Sequence, residues 1–338
     1  MKPIHEAPKL NKPKPKVVFV MGATGTGKSK LSIDLAVHFQ TEVINTDKIQ
    51  VYKGLDVVTN KVTELESRGV PHHLLGVVDD PDVDYSVHDF CRDALIAIER
   101  ITERGGAAIL AGGSNSFIEV LVEDPAYNFK STYDSCFLWL DVSPPVLNER
   151  VSRRVDEMVA GGLIDEVRGV FIPQADYSRG IRRSIGVPEM DRFLRVENRL
   201  IVDDEKPKEV LLEEAIHEIK VNTFKLTCRQ TEKIRTLKEE RGWNIRRIDV
   251  TGVFESPGEG VEKAWERLVL EPSLVIVGDF LKGGEKPSSP LQVFNSSLKD
   301  FGPKSPLPTV ALAVTALVGV LMALFMFQSV SSKRLYPW

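Results

Sequence analysis

Cysteine is scarce and scattered in this chain. Cys91, Cys136 and Cys228 are the three present, with no C-x-x-C pair among them. That spacing excludes a disulfide framework and a cysteine-based zinc site, and it fits a reducing compartment. Net charge is also small, −4 over 338 residues, so no global basic field draws the chain to nucleic acid and only a local basic groove is left for that role. Internal repeats and low-complexity segments are lacking in the central part of the sequence. The first residues, Met1–Lys16, are rich in Lys and Pro but contain no serine and carry Glu6. They lack the composition of an organelle leader and read as a flexible tail over 1–15, with organelle targeting as the alternative. A guanine-reading Asn-Lys-x-Asp is missing too: Asn60-Lys61-Val62-Thr63 has no acid and comes too early, which argues against a nucleotide switch.

What is present begins with Gly22-Ala23-Thr24-Gly25-Thr26-Gly27-Lys28-Ser29. An apolar run, Val17–Met21, precedes it, and Lys28–Phe39, with apolar spacing near 3.6, follows it. Strand, glycine turn and helix in that order define a phosphate-binding P-loop. Its backbone N–H groups converge on a phosphate chain, and the helix N-terminus adds a favourable dipole. Lys28 is expected to reach the phosphates and Ser29 to bind Mg²⁺ through its hydroxyl.

Further apolar runs at Glu42–Asn45, Ala107–Ala111, Phe137–Val142 and Asn244–Val250 alternate with helical spacing at Val87–Arg104 and Asn115–Val122. This pattern predicts an α/β fold, a P-loop NTPase-like parallel sheet with flanking helices, whose ligands sit at the carboxyl ends of the strands. Strand signals stop after Pro144. Helices are expected over Val146–Ala160, Leu163–Phe171, Pro188–Val196 and Pro207–Glu240. The organisation reads as a P-loop core over 16–143, a helical subdomain over 144–241 and a return to the core over 242–281. A Gly-, Pro- and Ser-rich linker follows over 282–308. Val310–Phe327 then runs for 18 residues without a charge. At about 1.5 Å per residue it spans roughly 27 Å, so a C-terminal transmembrane helix is expected over 309–328. Lys304 lies before it and Lys333-Arg334 after it. As a tail anchor it leaves the globular part in the cytosol, the basic pair resists translocation of the short tail, and a buried core helix is the alternative.

Three segments narrow the chemistry. Asp47, in Ile44-Asn45-Thr46-Asp47-Lys48-Ile49-Gln50, follows the second strand at the edge where the P-loop opens. A carboxylate there acts as a general base or binds Mg²⁺ through water, or is a turn Asp. Ala111-Gly112-Gly113-Ser114 ends a buried-looking strand where a kinase or ATPase often carries a Walker-B Asp, although Asp141 is a substitute. The two glycines suit either close approach of a ligand or a simple strand-to-helix turn. Arg179, Arg182 and Arg183, with Gly180 among them and Gly186 after them, read as a clamp for a polyphosphate rather than a solvated face. On these residues alone a small-molecule kinase is the rival reading.

Together the segments GATGTGKSKLSIDLA, EVINTDKIQVYKGLDVVTNKVT, GVPHHLLG, ILAGGSNSFIE, RVDEMV, ADYSRGIRRSIGVPEMDRFLR and the CRQ helix resemble the isopentenyltransferases that start cytokinin synthesis in plants. The resemblance covers about Lys16 to Leu281. It implies transfer of the dimethylallyl group of dimethylallyl diphosphate to N6 of the adenine of ADP or ATP (or AMP), with release of diphosphate. The related branch that modifies adenosine in tRNA is the alternative. Its eukaryotic members often end in a zinc finger, absent here, and tRNA is not expected as a partner. The resemblance implies that the P-loop holds the donor's diphosphate rather than ATP. Asp47 is then the general base on N6. Lys28, Arg182 and Arg183 neutralise the leaving diphosphate, Thr24 and Thr26 contact its bridging oxygens, and Ser29 helps hold Mg²⁺. Thr24, Lys28, Asp47 and Arg182 are the expected catalytic set. Gly22, Ala23, Gly25, Thr26, Gly27, Ser29, Gln50, Gly113, Ser114, Arg179 and Arg183 are expected to line the substrates. Arg150, basic where many plant members are not, and Thr46, in place of a commoner Ser, are departures that leave this chemistry intact. The sequence after Leu281 also departs from the family pattern, as a genuine anchor or as a joined or misread exon. His72-His73 belongs to a motif near the site mouth, with a structural or substrate-loop role favoured over metal binding. The expected location is cytosolic with a membrane tail, and plastid or mitochondrion is the alternative.

Overall fold

The computed structural model describes residues 13–283 except 202, 203, 257 and 259. Six strands form one sheet: β1 (Lys16–Gly22), β2 (Val43–Asn45), β3 (His72–His73), β4 (Ala108–Ala111), β5 (Asp134–Asp141) and β6 (Ile245–Asp249). Their order is β3-β2-β4-β1-β5-β6, and all pairs are parallel. β1 is central because Val17–Met21 is apolar at every position. A strand covered on both faces needs no polar alternation. Val17, Phe19 and Met21 enter one core with Ile98, Ile118 and Phe137. Val18 and Val20 enter the other with Leu31, Leu35 and Val269.

The expected parallel sheet and flanking helices are present. Lys28–Phe39 is helical with the expected bounds. The helix at Val87–Glu103 starts on a capping box of Ser86 and Asp89, which satisfies its first N–H groups locally. Lys28–Phe39 has no side-chain cap, so its N-terminal donors remain available to an anion. The region after Pro144 is helical, at Pro144–Ala160, Leu163–Val170 and the long Lys208–Glu239 helix. Pro188 opens a 3-10 turn before a helix at Asp191–Glu197, where one continuous helix was expected. β3 has two residues, too few for a period-2 signal, and is the one strand absent from the sequence reading.

No helix among the described residues is long and apolar enough to cross a membrane. The transmembrane segment expected at 309–328 lies outside the described residues, as does the linker beyond residue 283.

The sheet order decides where chemistry is possible. β4 lies between β1 and β2, so the chain leaving β1 turns away from the chain entering β4. The carboxyl ends of β1, β4 and β2 therefore share one edge, the usual ligand crevice of such sheets. The Thr46 N–H donates to the Ala111 carbonyl at 2.9 Å and ties the loop after β2 to the end of β4.

Candidate active site

The P-loop owes its shape to close packing. Gly27 has φ +94°, and a Cβ there would stand 2.8 Å from the Trp265 ring, so only glycine fits. Trp265 is itself fixed by donating from Nε1 to Asp34 at 2.8 Å. Thr26 is buried, and its hydroxyl donates to the Ala23 carbonyl at 2.9 Å. It supports the loop rather than facing a ligand, which corrects its expected contact with a bridging oxygen. The Lys28 ammonium donates to the same carbonyl at 2.7 Å, inside the loop. Burial pushes that ammonium down to about 8, while Asp47 opposes the shift and Arg154 adds to it. Ser29 is exposed at the mouth of the loop.

Asp47 adopts a fixed orientation. Its Oδ1 accepts the main-chain N–H of Ile49 at 2.9 Å and of Gln50 at 3.4 Å. Its own N–H donates to Asn45 Oδ1 at 3.0 Å. With Oδ1 engaged, Oδ2 is the oxygen directed at Gly113, 3.2 Å from where a Cβ would be. A Cβ on Gly112 would stand 2.4 Å from Thr46 Oγ1 and 2.6 Å from the Asp47 nitrogen. The close approach that Gly112 permits is thus to the Thr46–Asp47 backbone, not to a ligand. Ser114 accepts the Lys48 N–H at 3.0 Å and braces the same loop.

Two residues outside the expected set complete the site. Arg154, on the Pro144–Ala160 helix, donates to Thr24 Oγ1 at 2.7 Å. Its Nε is buried without a partner, and no carboxylate forms an ion pair with it among the described residues. Burial pushes its guanidinium down to about 10, Arg150 adds to that, and Glu157 and Asp47 oppose it. A guanidinium bonded to the P-loop with no ion-pair partner among the described residues has the chemistry to receive an anion. Gln230, on the Lys208–Glu239 helix, accepts the Thr24 N–H at 2.8 Å and donates to the Gly113 carbonyl at 3.0 Å. The RVDEMV and CRQ segments carry these two residues, and their position in recurring motifs is the signal that points to them.

The arginine loop is arranged differently from expectation. Arg182 is buried, with its guanidinium on Asp82 and its Nη1 donating to the Val170 carbonyl at 2.8 Å. Its partners are Asp82 and the Val170 carbonyl, and among the described residues it makes no hydrogen bond or ion pair with the P-loop, in contrast to its expected place in the diphosphate clamp. Arg179 is exposed and lies 3.6 Å from Asp84. Arg183 lies 3.7 Å from the same carboxylate, and its Nε is buried without a partner. Arg183 also acts on Lys48: burial, then Arg183, hold that ammonium below its ordinary value, with Asp47 opposing and Arg229 contributing. Gln50 is engaged as well, donating to the carbonyls of Thr59 and Asn60 at 3.0 and 3.1 Å, so it braces a loop and has no free amide hydrogen to spare for a substrate.

Asp141, the expected substitute for a Walker-B acid, accepts from Arg247 Nε at 2.7 Å and is ion-paired. His73 bonds Glu42 at 2.6 Å and His72 the Val70 carbonyl at 2.8 Å, both within the sheet edge. No group of three or more His, Cys, Asp or Glu among the described residues could hold a metal ion. A cavity of about 600 Å³ is walled by Val57, Asn60, Lys61, Met158 and Arg154, and Arg154, through its bond to Thr24, is its link to the P-loop.

A parallel sheet with flanking helices, a glycine turn leading into an uncapped helix and an oriented carboxylate at the carboxyl ends of the strands define an α/β protein of P-loop-like architecture. The IPP transferase family model matches residues 50–132 and 124–236. The chain is 52% identical over 303 residues to adenylate isopentenyltransferase 5, chloroplastic, of Arabidopsis thaliana, covering 89% of this chain and 90% of that protein. It is 51% identical over 269 residues to adenylate isopentenyltransferase 7, mitochondrial, of the same plant, covering 79% and 81%. The structure of a eukaryotic dimethylallyltransferase acting on tRNA has the same fold, with TM-score 0.65, 24% identity and 81% of each chain covered. The chain belongs to the IPP transferase family and is a prenyltransferase of the adenylate isopentenyltransferase kind.

Proposed function

We propose that this chain transfers the dimethylallyl group of dimethylallyl diphosphate to N6 of the adenine of free ADP or ATP, or AMP, the first step of cytokinin biosynthesis. One observation carries the reading: the Asp47 carboxylate, held by the Ile49 and Gln50 N–H groups with Oδ2 turned toward Gly113, supports two groups of positive charge. These are Lys28 with Arg154 of the Pro144–Ala160 helix, and Lys48, crowded by Arg183 and Arg229, on the loop after β2. A reaction between two polyanions needs two such groups of positive charge.

The P-loop amides, Lys28, Arg154 and Thr24 hold the donor diphosphate. Thr24 accepts from Arg154 and keeps its own hydroxyl proton for a diphosphate oxygen. The C1–O bond breaks with its electron pair going to diphosphate, where these cations stabilise the charge. The N6 lone pair forms the new C–N bond, and the N6 proton passes to Asp47 Oδ2. Lys48, Arg183 and Arg229 receive the acceptor's phosphates. Most of the acceleration comes from charge neutralisation and positioning.

Ser29 suits Mg²⁺ as a single hydroxyl at the loop mouth, because Mg²⁺ is commonly completed by substrate phosphates and water rather than by a protein cage. When bound, the ion neutralises charge on the leaving diphosphate.

The names of the relatives carry chloroplastic and mitochondrial locations, and they favour plastid or mitochondrion over the cytosol for this chain. The test of function is incubation with dimethylallyl diphosphate, Mg²⁺ and AMP, ADP, ATP or unmodified tRNA, followed by mass spectrometry. A prenyl group on a free nucleotide supports the proposal. Product on tRNA alone transfers the chain to the tRNA-modifying branch, and ATP turnover without prenyl product overturns both.

A further inference from the structure

Glu166, on the Leu163–Val170 helix, has no part in the chemistry above, yet its carboxylate is fully engaged. Both oxygens accept the Val57 N–H at 3.0 Å, and Oε2 also accepts the Val58 N–H at 2.9 Å. No Lys, Arg or His forms an ion pair with it among the described residues. The carboxylate is thus a dedicated backbone clamp. What it clamps is a strap over residues 55–61, folded on itself by Thr59 to Leu55 and Lys61 to Asp56 main-chain bonds of 2.9 Å. Gln50, three residues from Asp47, grips the far end of the strap through the Thr59 and Asn60 carbonyls. Val57, Asn60 and Lys61 of this strap wall the 600 Å³ cavity that is also lined by Arg154, the residue bonded to Thr24 of the P-loop.

We propose that Glu166 is a positioning residue for the prenyl donor. By holding the strap against the cavity, it fixes the wall that faces Arg154 and so sets the affinity for the diphosphate half of the donor. The inference rests on the function proposed above. Two charge-assisted acceptors hold one end of the strap, and one neutral amide holds the other. Removing the charged end frees the wall while leaving Asp47 on its own loop, held by Ile49 and Gln50. Donor binding therefore weakens while the chemical step is preserved.

The experiment uses the full chain and its Glu166→Ala and Glu166→Gln variants. Hydrogen exchange is followed over 54–63 and over the P-loop, and binding of inorganic diphosphate is titrated by calorimetry. Steady-state constants are then taken with dimethylallyl diphosphate and with ADP. The expected result for Glu166→Ala is faster exchange confined to 54–63, with donor KM and the diphosphate dissociation constant both raised roughly tenfold. kcat and the KM for ADP stay within about twofold. Glu166→Gln keeps the volume and one acceptor oxygen, so it folds and recovers part of the loss. An unchanged diphosphate affinity in both variants overturns the inference, as does a change in ADP KM in place of donor KM. A wild-type chain that binds no diphosphate is a separate result, and it removes the proposed function itself.

Discussion

The Gln230 side chain joins the P-loop to the end of β4: it accepts the Thr24 N–H at 2.8 Å and donates to the Gly113 carbonyl at 3.0 Å. One amide from a distant helix thereby fixes the P-loop and the end of β4 to each other. Gly113 is glycine for that reason, since a Cβ there would meet Gln230 Nε2 at 2.4 Å. Gln230→Ala unpairs both groups, at about 1–3 kcal/mol of stability. Gln230→Glu keeps the acceptor but sets a negative charge beside the anion site. Donor affinity is expected to fall in the order wild type, Ala, Glu. A Glu variant that binds the donor better than the Ala variant would mean that Gln230 acts on fold alone.

Among the described residues Arg154 pairs with no carboxylate, and burial holds its guanidinium down to about 10, so its charge opposes folding in the free protein. Arg154→Met replaces it with an apolar chain of similar volume, a change that is often neutral or stabilising for buried charges. The expected outcome is a melting temperature equal to or above that of wild type, with donor KM raised roughly a hundredfold. A variant that melts lower and binds donor normally would contradict the assignment.

Arg182 is expected to behave in the opposite way. Arg182→Met removes the Asp82 pair and the bond to the Val170 carbonyl, so thermal unfolding moves down by a few degrees, from about 1–3 kcal/mol. Donor KM of the folded protein changes less than about threefold. A hundredfold rise in donor KM would restore Arg182 to the diphosphate clamp.

Lys28 gives the site a pH limit. Burial pushes its ammonium down to about 8 from 10.5. Between those values the unfolded chain carries a proton that the folded chain lacks, so this group's contribution to stability rises with pH across that window. Donor capture runs the other way, because it needs the charged form. kcat/KM for the donor is therefore expected to fall above about pH 8 in the wild type. Lys28→Arg, always charged, is expected to lack that limb even where its activity is lower. A profile flat to pH 9.5 in the wild type would contradict the assignment.

Much of this was legible in the sequence, for physical reasons. The P-loop announces itself because glycine spacing, the strand before it and the helix after it are all local. The central strand was readable because burial on both faces leaves an unbroken apolar run, Val17–Met21, whereas the edge strand β6, with Arg246 and Arg247 in it, gave a weaker signal. β3 escapes because two residues carry no period. Arg182 and Arg154 show where local reading ends. In sequence, Arg182 stands in a cluster of arginines and Arg154 in an ordinary charged helix. Asp82, 100 residues away, neutralises the first, while among the described residues the second bonds Thr24 and pairs with no acid, and only the tertiary structure shows this. Gln50 repeats the lesson, since its donors are taken by carbonyls nine and ten residues further on.

The central claim is that Asp47 takes the N6 proton. Asp47→Asn keeps an oxygen to accept the Ile49 and Gln50 N–H groups, so the loop is preserved while the base is removed. The decisive measurement is single-turnover formation of prenylated ADP by wild type and Asp47→Asn at saturating dimethylallyl diphosphate and Mg²⁺. A loss of roughly 10²–10⁴-fold in rate, with melting temperature and diphosphate affinity unchanged, is the predicted result. An Asp47→Asn chain that forms product within tenfold of the wild-type rate would contradict the account.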